Sequence, residues 1–125
     1  MKPRVLCVDD EPLLLRSIKR VLSRHYAVDT VGTAELALEV LESSPDIDLV
    51  ITDIRMAGMS GVELLRALRQ KGHPAVVLVL TGDPGSWSTD LEDELAVHAV
   101  LRKPMRALDL RREVANALAQ VGGEL

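Results

Sequence analysis

The sequence predicts an α/β domain: a doubly wound parallel sheet of five strands, in the order 2-1-3-4-5, covered by five helices. Three observations lead there. Short aliphatic runs alternate with longer segments of helical periodicity, the pattern of β–α–β units with right-handed crossovers. Three runs, Val5–Val8, Leu49–Ile51 and Ala75–Leu80, are apolar at successive positions, as strands must be when helices cover both faces. The length, 125 residues, suits one domain that can bury a sufficient core without a disulfide or a metal. Residues 1–125 are therefore read as a single domain.

The five strands are expected at Arg4–Val8, Ala27–Val31, Ile47–Thr52, Ala75–Leu80 and His98–Leu101. The first helix starts at Pro12, a residue tolerated at a helix N-terminus, and shows Leu14, Leu15, Ile18, Val21 and Leu22 on one face. The second takes Thr33 as N-cap, carries Leu36, Ala37, Val40 and Leu41, and stops before Pro45. Ser60 and Glu63 form a capping box for the third, which runs through Leu64, Leu65 and Leu68 to Gly72. The fourth lies within Ser86–Ala96. The fifth runs from about Ala107 to Val121, aligns Leu110, Val114, Leu118 and Val121, and is closed by Gly122 and Gly123.

Composition narrows the function classes. A hydrophobic fraction of 47% with 27% charged residues is that of a globular protein rather than a disordered or fibrous one. The net charge of −4 argues against sequence-blind nucleic-acid binding. Tyr26 and Trp87 are the only aromatics, too few for a base-stacking platform. The longest apolar stretch, Ala75–Leu80, is far short of the ~20 residues that span a bilayer, and the first apolar run is cut by Asp9 and Asp10, too early for a signal peptide. With the lone Cys7, this points to a cytoplasmic chain without membrane contact.

In a doubly wound sheet, ligands sit beyond the carboxyl ends of the strands, near the switch between strands 1 and 3. There the sequence places Asp9-Asp10-Glu11 after strand 1, Asp53 after strand 3, Thr81 and Gly82 after strand 4, and Lys103-Pro104 after strand 5. Carboxylates meeting at one rim repel by about 4 kcal/mol per pair at ~4 Å and an effective dielectric of 20. Protonation or a cation relieves this. Oxygen ligands without His or Cys favour a hard ion, and a small site with spare water positions favours Mg²⁺. A carboxylate can attack phosphorus to give an acyl phosphate, whose oxygens then need positive charge and donors. Asp53, on the central strand, is the best placed nucleophile; Lys103 supplies an ammonium, Thr81 a hydroxyl, and Gly82 room for close backbone approach.

The segments "VLCVDDEP", "DLVITDIRMAGMSGVELL", "VLVLTGD" and "AVLRKP", in this order and spacing, resemble the receiver domain of two-component response regulators over essentially the whole chain. The resemblance implies that Asp53 is phosphorylated by a phosphohistidine on a sensor histidine kinase or phosphotransfer protein, so that the chain is a switched phosphoacceptor rather than an enzyme. It implies Mg²⁺ held by Asp10, Asp53 and the main-chain carbonyl of Arg55, with Asp9 acting through water. Thr81 and Lys103 would contact the phosphoryl oxygens, and the Lys103–Pro104 bond would be cis. Two positions depart from the family pattern. Val100 stands where family members usually carry the Tyr or Phe of the switch, and Ala57 stands where they usually carry Pro.

Three other readings compete with this one. An aspartyl-phosphate phosphatase would want an acid two residues after the nucleophile, where Arg55 stands. A flavodoxin-like cofactor binder of the same topology would need a phosphate loop after strand 1, where Asp9, Asp10 and Glu11 repel phosphate. An interaction domain of receiver shape that is not controlled by phosphate is the remaining alternative, raised by Val100 and Ala57. Away from the strand ends, Cys7 reads as core, His73 and His98 as surface or strand-edge residues, and Trp87 as core packing or a lid. Acidic Asp83–Glu94 contrasts with the cluster Arg102, Lys103, Arg106, Arg111 and Arg112. These are two solvated faces, or a helix 4–strand 5–helix 5 face that meets an output domain or a second copy.

Overall fold

A computed structural model describes residues 2–122. Its elements follow the alternation of the sequence: β1 (Arg4–Val8), α1 (Pro12–Leu22), β2 (Ala27–Val31), α2 (Ala34–Ser43), β3 (Leu49–Thr52), α3 (Gly61–Gln70), β4 (Val76–Thr81), α4 (Thr89–Leu95), β5 (Val97–Arg102) and α5 (Ala107–Gly122). The strands pair in the order β2-β1-β3-β4-β5, and the pairs are all parallel. This is the predicted doubly wound sheet.

The two-residue period of the strands divides the core. Leu6, Val8, Val50, Val77 and Val79 face α2, α3 and α4; Val5, Cys7, Leu49, Ile51, Leu78 and Leu80 face α1 and α5. Because both faces are covered, β1, β3 and β4 have almost no polar position. Burying each such side chain contributes roughly 1.5–3 kcal/mol, against the conformational entropy of ordering the chain.

Local signals set the helix ends. The Thr33 hydroxyl accepts the Leu36 N–H at 3.1 Å. Ser60 Oγ accepts the Glu63 N–H at 3.2 Å while Glu63 accepts the Ser60 N–H at 3.3 Å, the predicted capping box. Gly72 follows α3 with φ +71°, a left-handed conformation open to glycine without steric cost. Arg69, in the last turn of α3, donates to the carbonyls of His73, Ala75, Leu95 and Ala96 at 2.7–3.1 Å. It ties the end of α4 to the α3–β4 turn, and burial lowers its pKa.

Several boundaries and faces differ from the sequence reading. Ile47 is 2% exposed yet precedes β3; its N–H bonds back to Ser44 in the turn after α2. Ala75 likewise precedes β4, and β5 is longer than expected, with a register irregularity at the Val77/Leu78 pairs. Leu36 is 47% exposed, and Ala34 joins the expected Ala37 and Leu41 as the buried residues of α2. A 3₁₀ turn at Pro84–Ser86 precedes a shorter α4. The fifth helix continues through Gly122, so that glycine does not stop it; the side chain of Val121 and the stop at Gly123 lie outside the described residues.

Candidate functional site

Strand register brings the polar strand ends together. Val8 is paired with Thr52, so Asp9 and Asp53 leave the sheet side by side, joined by the Asp53 N–H to the Val8 carbonyl at 3.2 Å. Thr81 ends β4 opposite Arg102, which puts Lys103 next on the same rim; its N–H donates to the Thr81 carbonyl at 2.7 Å. The Lys103–Pro104 bond is cis. Asp9, Asp53 and Thr81 are 3%, 7% and 2% exposed, an unusual concentration of buried polar groups at one edge.

Lys103 organises the site. Its Nζ lies 2.7 Å from Asp9 Oδ2 and 2.8 Å from Asp53 Oδ2, with Glu11 Oε1 at 3.5 Å. The second oxygens also have partners: Asp53 Oδ1 accepts the Ile54 N–H at 2.6 Å, and Asp9 Oδ1 the Glu11 N–H at 3.0 Å. Burial pushes the Asp9 carboxyl above its usual range, and the Lys103 ammonium pulls it part of the way back. Burial also opposes the charge on Lys103, but the hydrogen bonds to Asp53 and Asp9 outweigh it and its pKa rises. Two buried acids thus share one internal cation.

The other predicted residues take different positions around this centre. Thr81 Oγ1 accepts the Asp83 N–H at 3.1 Å, which leaves its proton free to donate elsewhere; it does not bond Asp53 or Lys103. Gly82 faces open space: apart from its chain neighbours, none of the described residues comes within 4 Å of where a Cβ would stand. Asp10 is exposed, and its carboxylate lies with those of Asp9 and Glu11 in a group of oxygens within 4.8 Å of one another. That all-oxygen set fits a hard divalent cation. It includes Glu11, which the sequence reading did not name as a ligand, and does not include Asp53. Arg55 is exposed, its guanidinium 3.5 Å from the Asp83 carboxylate. Val100 is partly buried against the α2–α4 side of the core, as is Trp87, whose indole Nε1 is buried without a partner among the described residues. Ala57 is exposed on the loop between β3 and α3.

Residues set aside as structural behave so. Cys7 is buried, and burial pushes its thiol up to about 12. His73 accepts the Ala75 N–H at Nδ1 and has the Ser44 carbonyl 3.2 Å from Nε2. The charged faces are partly paired within the chain: Glu94 with Arg66 at 2.8 Å, and Asp109 with Arg106 and Arg112 at 4.0 Å. No helix among the described residues is long and apolar enough to cross a membrane.

Comparison with known proteins points to one family. The sequence model described as "Response regulator receiver domain" matches residues 5–115. The two-component response regulator ORR11 of Oryza sativa subsp. indica is 33% identical over 93% of this chain and 81% of its own. The sensor histidine kinase TmoS of Ectopseudomonas mendocina is 35% identical over 94% of this chain, which spans 12% of that kinase. Among solved structures, a response regulator receiver domain protein from Clostridium thermocellum superposes with a TM-score of 0.85 at 30% identity, covering 98% of this chain and 99% of that one. The response regulator TrrA of Thermotoga maritima, solved in complex with Mg²⁺–BeF, gives 0.83 at 34% identity over 94% and 100% of the two chains. With its strand order, the acids after β1 and β3 and the lysine after β5 in place, the chain belongs to the response regulator receiver domain family of two-component systems.

Proposed function

We propose that this chain is a receiver whose Asp53 accepts a phosphoryl group from a phosphohistidine of a partner kinase or phosphotransfer protein, in a Mg²⁺-dependent reaction that changes its interactions. The observation that carries the reading is the Lys103 ammonium held between Asp9 and Asp53 at 2.7 and 2.8 Å, beside Thr81 on the carboxyl edge of the sheet.

The residues divide the work. An Asp53 carboxylate oxygen attacks phosphorus, the P–N bond breaks, and the imidazole nitrogen keeps the electron pair. Mg²⁺, when bound, supplies the charge neutralisation that lets an anionic phosphoryl approach an acidic site. Asp10, Asp53 and the Arg55 carbonyl are the ligands we assign it, with Asp9 acting through water and Glu11 within reach of the same space. Lys103 turns from the Asp53 carboxylate to a phosphoryl oxygen, and the Thr81 hydroxyl, its acceptor side already used by the Asp83 N–H, donates to another. Gly82 leaves the space those oxygens occupy. The chain acts as phosphoacceptor and not as a turnover enzyme. Signalling then passes through Thr81 and the β5 position of Val100 to a face of α4, β5 and α5 that meets an output domain or a second copy. We place the chain in the cytoplasm, in keeping with its single cysteine.

Incubation with acetyl phosphate and Mg²⁺, followed by intact mass, tests the reading. Wild type should gain one phosphoryl group and Asp53→Asn none; uptake without Mg²⁺, or equal uptake by the variant, would refute it.

A further inference from the structure

We infer that Gly61 is a positioning residue for this site: its missing side chain lets α3 seat its first turn on the Asp53–Ile54 peptide, and this contact aims the Asp53 carboxylate and the loop that carries Arg55. The inference rests on the function proposed above. Gly61 is the first residue of α3 and is buried. A Cβ built on it would stand 1.9 Å from the Asp53 carbonyl oxygen, 2.9 Å from the carbonyl carbon and 3.0 Å from the Ile54 Cα. These are backbone atoms, so no rotamer can relieve the collision; helix or peptide must move.

The peptide concerned is the one that matters for the chemistry. Its carbonyl accepts the Thr52 hydroxyl at 2.9 Å and its N–H holds Asp53 Oδ1 at 2.6 Å, so the carboxylate is tied to the orientation of that plane. The Gly61 N–H donates to the Ile54 carbonyl at 2.8 Å and closes the loop of residues 55–60, which contains Arg55. A helix pressed against the nucleophile's own peptide, and bonded to the next one, fixes the Asp53 carboxylate and the start of the loop that carries Arg55. Displacement of this peptide would move the Ile54 N–H that holds Oδ1 at 2.6 Å and so disturb the aim of Oδ2 at Lys103, 2.8 Å away. The capping box at Ser60 and Glu63 supports the same first turn from the solvent side.

The test compares Gly61→Ala, Ser60→Ala and Gly85→Ala with wild type; a Cβ at Gly85 meets only an ordinary contact at 3.6 Å. Backbone amide shifts of residues 53–55 are read without metal, then Mg²⁺ is titrated in by calorimetry. Gly61→Ala should displace those shifts and weaken Mg²⁺ binding at least tenfold. Ser60→Ala, which loosens the turn without a collision, should do the same several-fold less, and Gly85→Ala should match wild type. If Gly61→Ala does not fold, Ser60→Ala decides. Wild-type shifts over residues 53–55 together with wild-type Mg²⁺ affinity in the deciding variant would overturn the inference. A wild-type chain that neither binds Mg²⁺ nor takes up phosphoryl would instead refute the proposed function, and the metal-free shifts would still decide the role of Gly61.

Discussion

Replacing Lys103 with methionine keeps the aliphatic stem and removes the cation that two buried carboxylates share. The Lys103 side chain is 13% exposed and those of Asp9 and Asp53 are 4% and 10% exposed. Removing one partner of a buried pair costs about 3–5 kcal/mol, because the remaining charge is left uncompensated. The sheet edge admits some solvent, so we expect the lower end, about 3 kcal/mol without metal. For a chain of this size that corresponds to a fall in Tm of roughly 10 °C. The sign of the pH dependence follows from the same contacts. Burial already holds the Asp9 carboxyl high, and Lys103 is what lowers it. Without Lys103 the folded state keeps a proton to still higher pH than the unfolded chain. The variant should therefore regain stability as pH falls from neutrality toward about 5, more steeply than wild type. Thermal melts of both proteins across that range, without divalent ions, make the comparison. A Tm at pH 7 within about 2 °C of wild type, or parallel pH profiles, would refute the claim that Lys103 neutralises this acidic rim.

Asp10→Ala removes one of three carboxylates grouped within 4.8 Å; metal-free Tm should stay level or rise by an amount corresponding to at most about 1 kcal/mol, while calorimetry shows Mg²⁺ binding weakened at least tenfold. A large loss of metal-free stability would contradict the cluster. Arg69→Ala strands the carbonyls of Leu95, Ala96, His73 and Ala75, and urea denaturation should show a loss of about 2–3 kcal/mol. Arg69→Lys should recover less than half of it, since an ammonium cannot reproduce the planar fork. Ala96 holds φ +51° at the end of α4, so Ala96→Gly should raise the urea midpoint by an amount worth about 0.5–1 kcal/mol; a lower midpoint would mean that the left-handed turn is not strained.

The sheet was legible because burial on both faces leaves its mark as uninterrupted aliphatic runs, and the rim was legible because polar residues in such a sheet collect where strands end. Burial alone does not make a strand, however. Ile47 and Ala75 read as strand residues because they are apolar, but they bury themselves in turns just outside the ladder. Leu36 is hydrophobic enough to suggest the inner face, yet it points outward and small Ala34 packs there beside the expected Ala37 and Leu41. Within Asp9-Asp10-Glu11, composition cannot say which acid turns inward; pairing of β1 with β3 selects Asp9 for contact with Lys103. Gly61 gave no chemical signal at all. Its part depends on the distance between a helix end and a neighbouring peptide, which only the assembled backbone defines.

One carboxylate, that of Asp53, is the proposed acceptor of the phosphoryl group. Borohydride reduction of the acetyl phosphate-treated protein converts an aspartyl phosphate to homoserine, and peptide mass mapping locates it. Homoserine at position 53, dependent on Mg²⁺, is the predicted result; homoserine at position 9 or 10, or at none, would contradict the account.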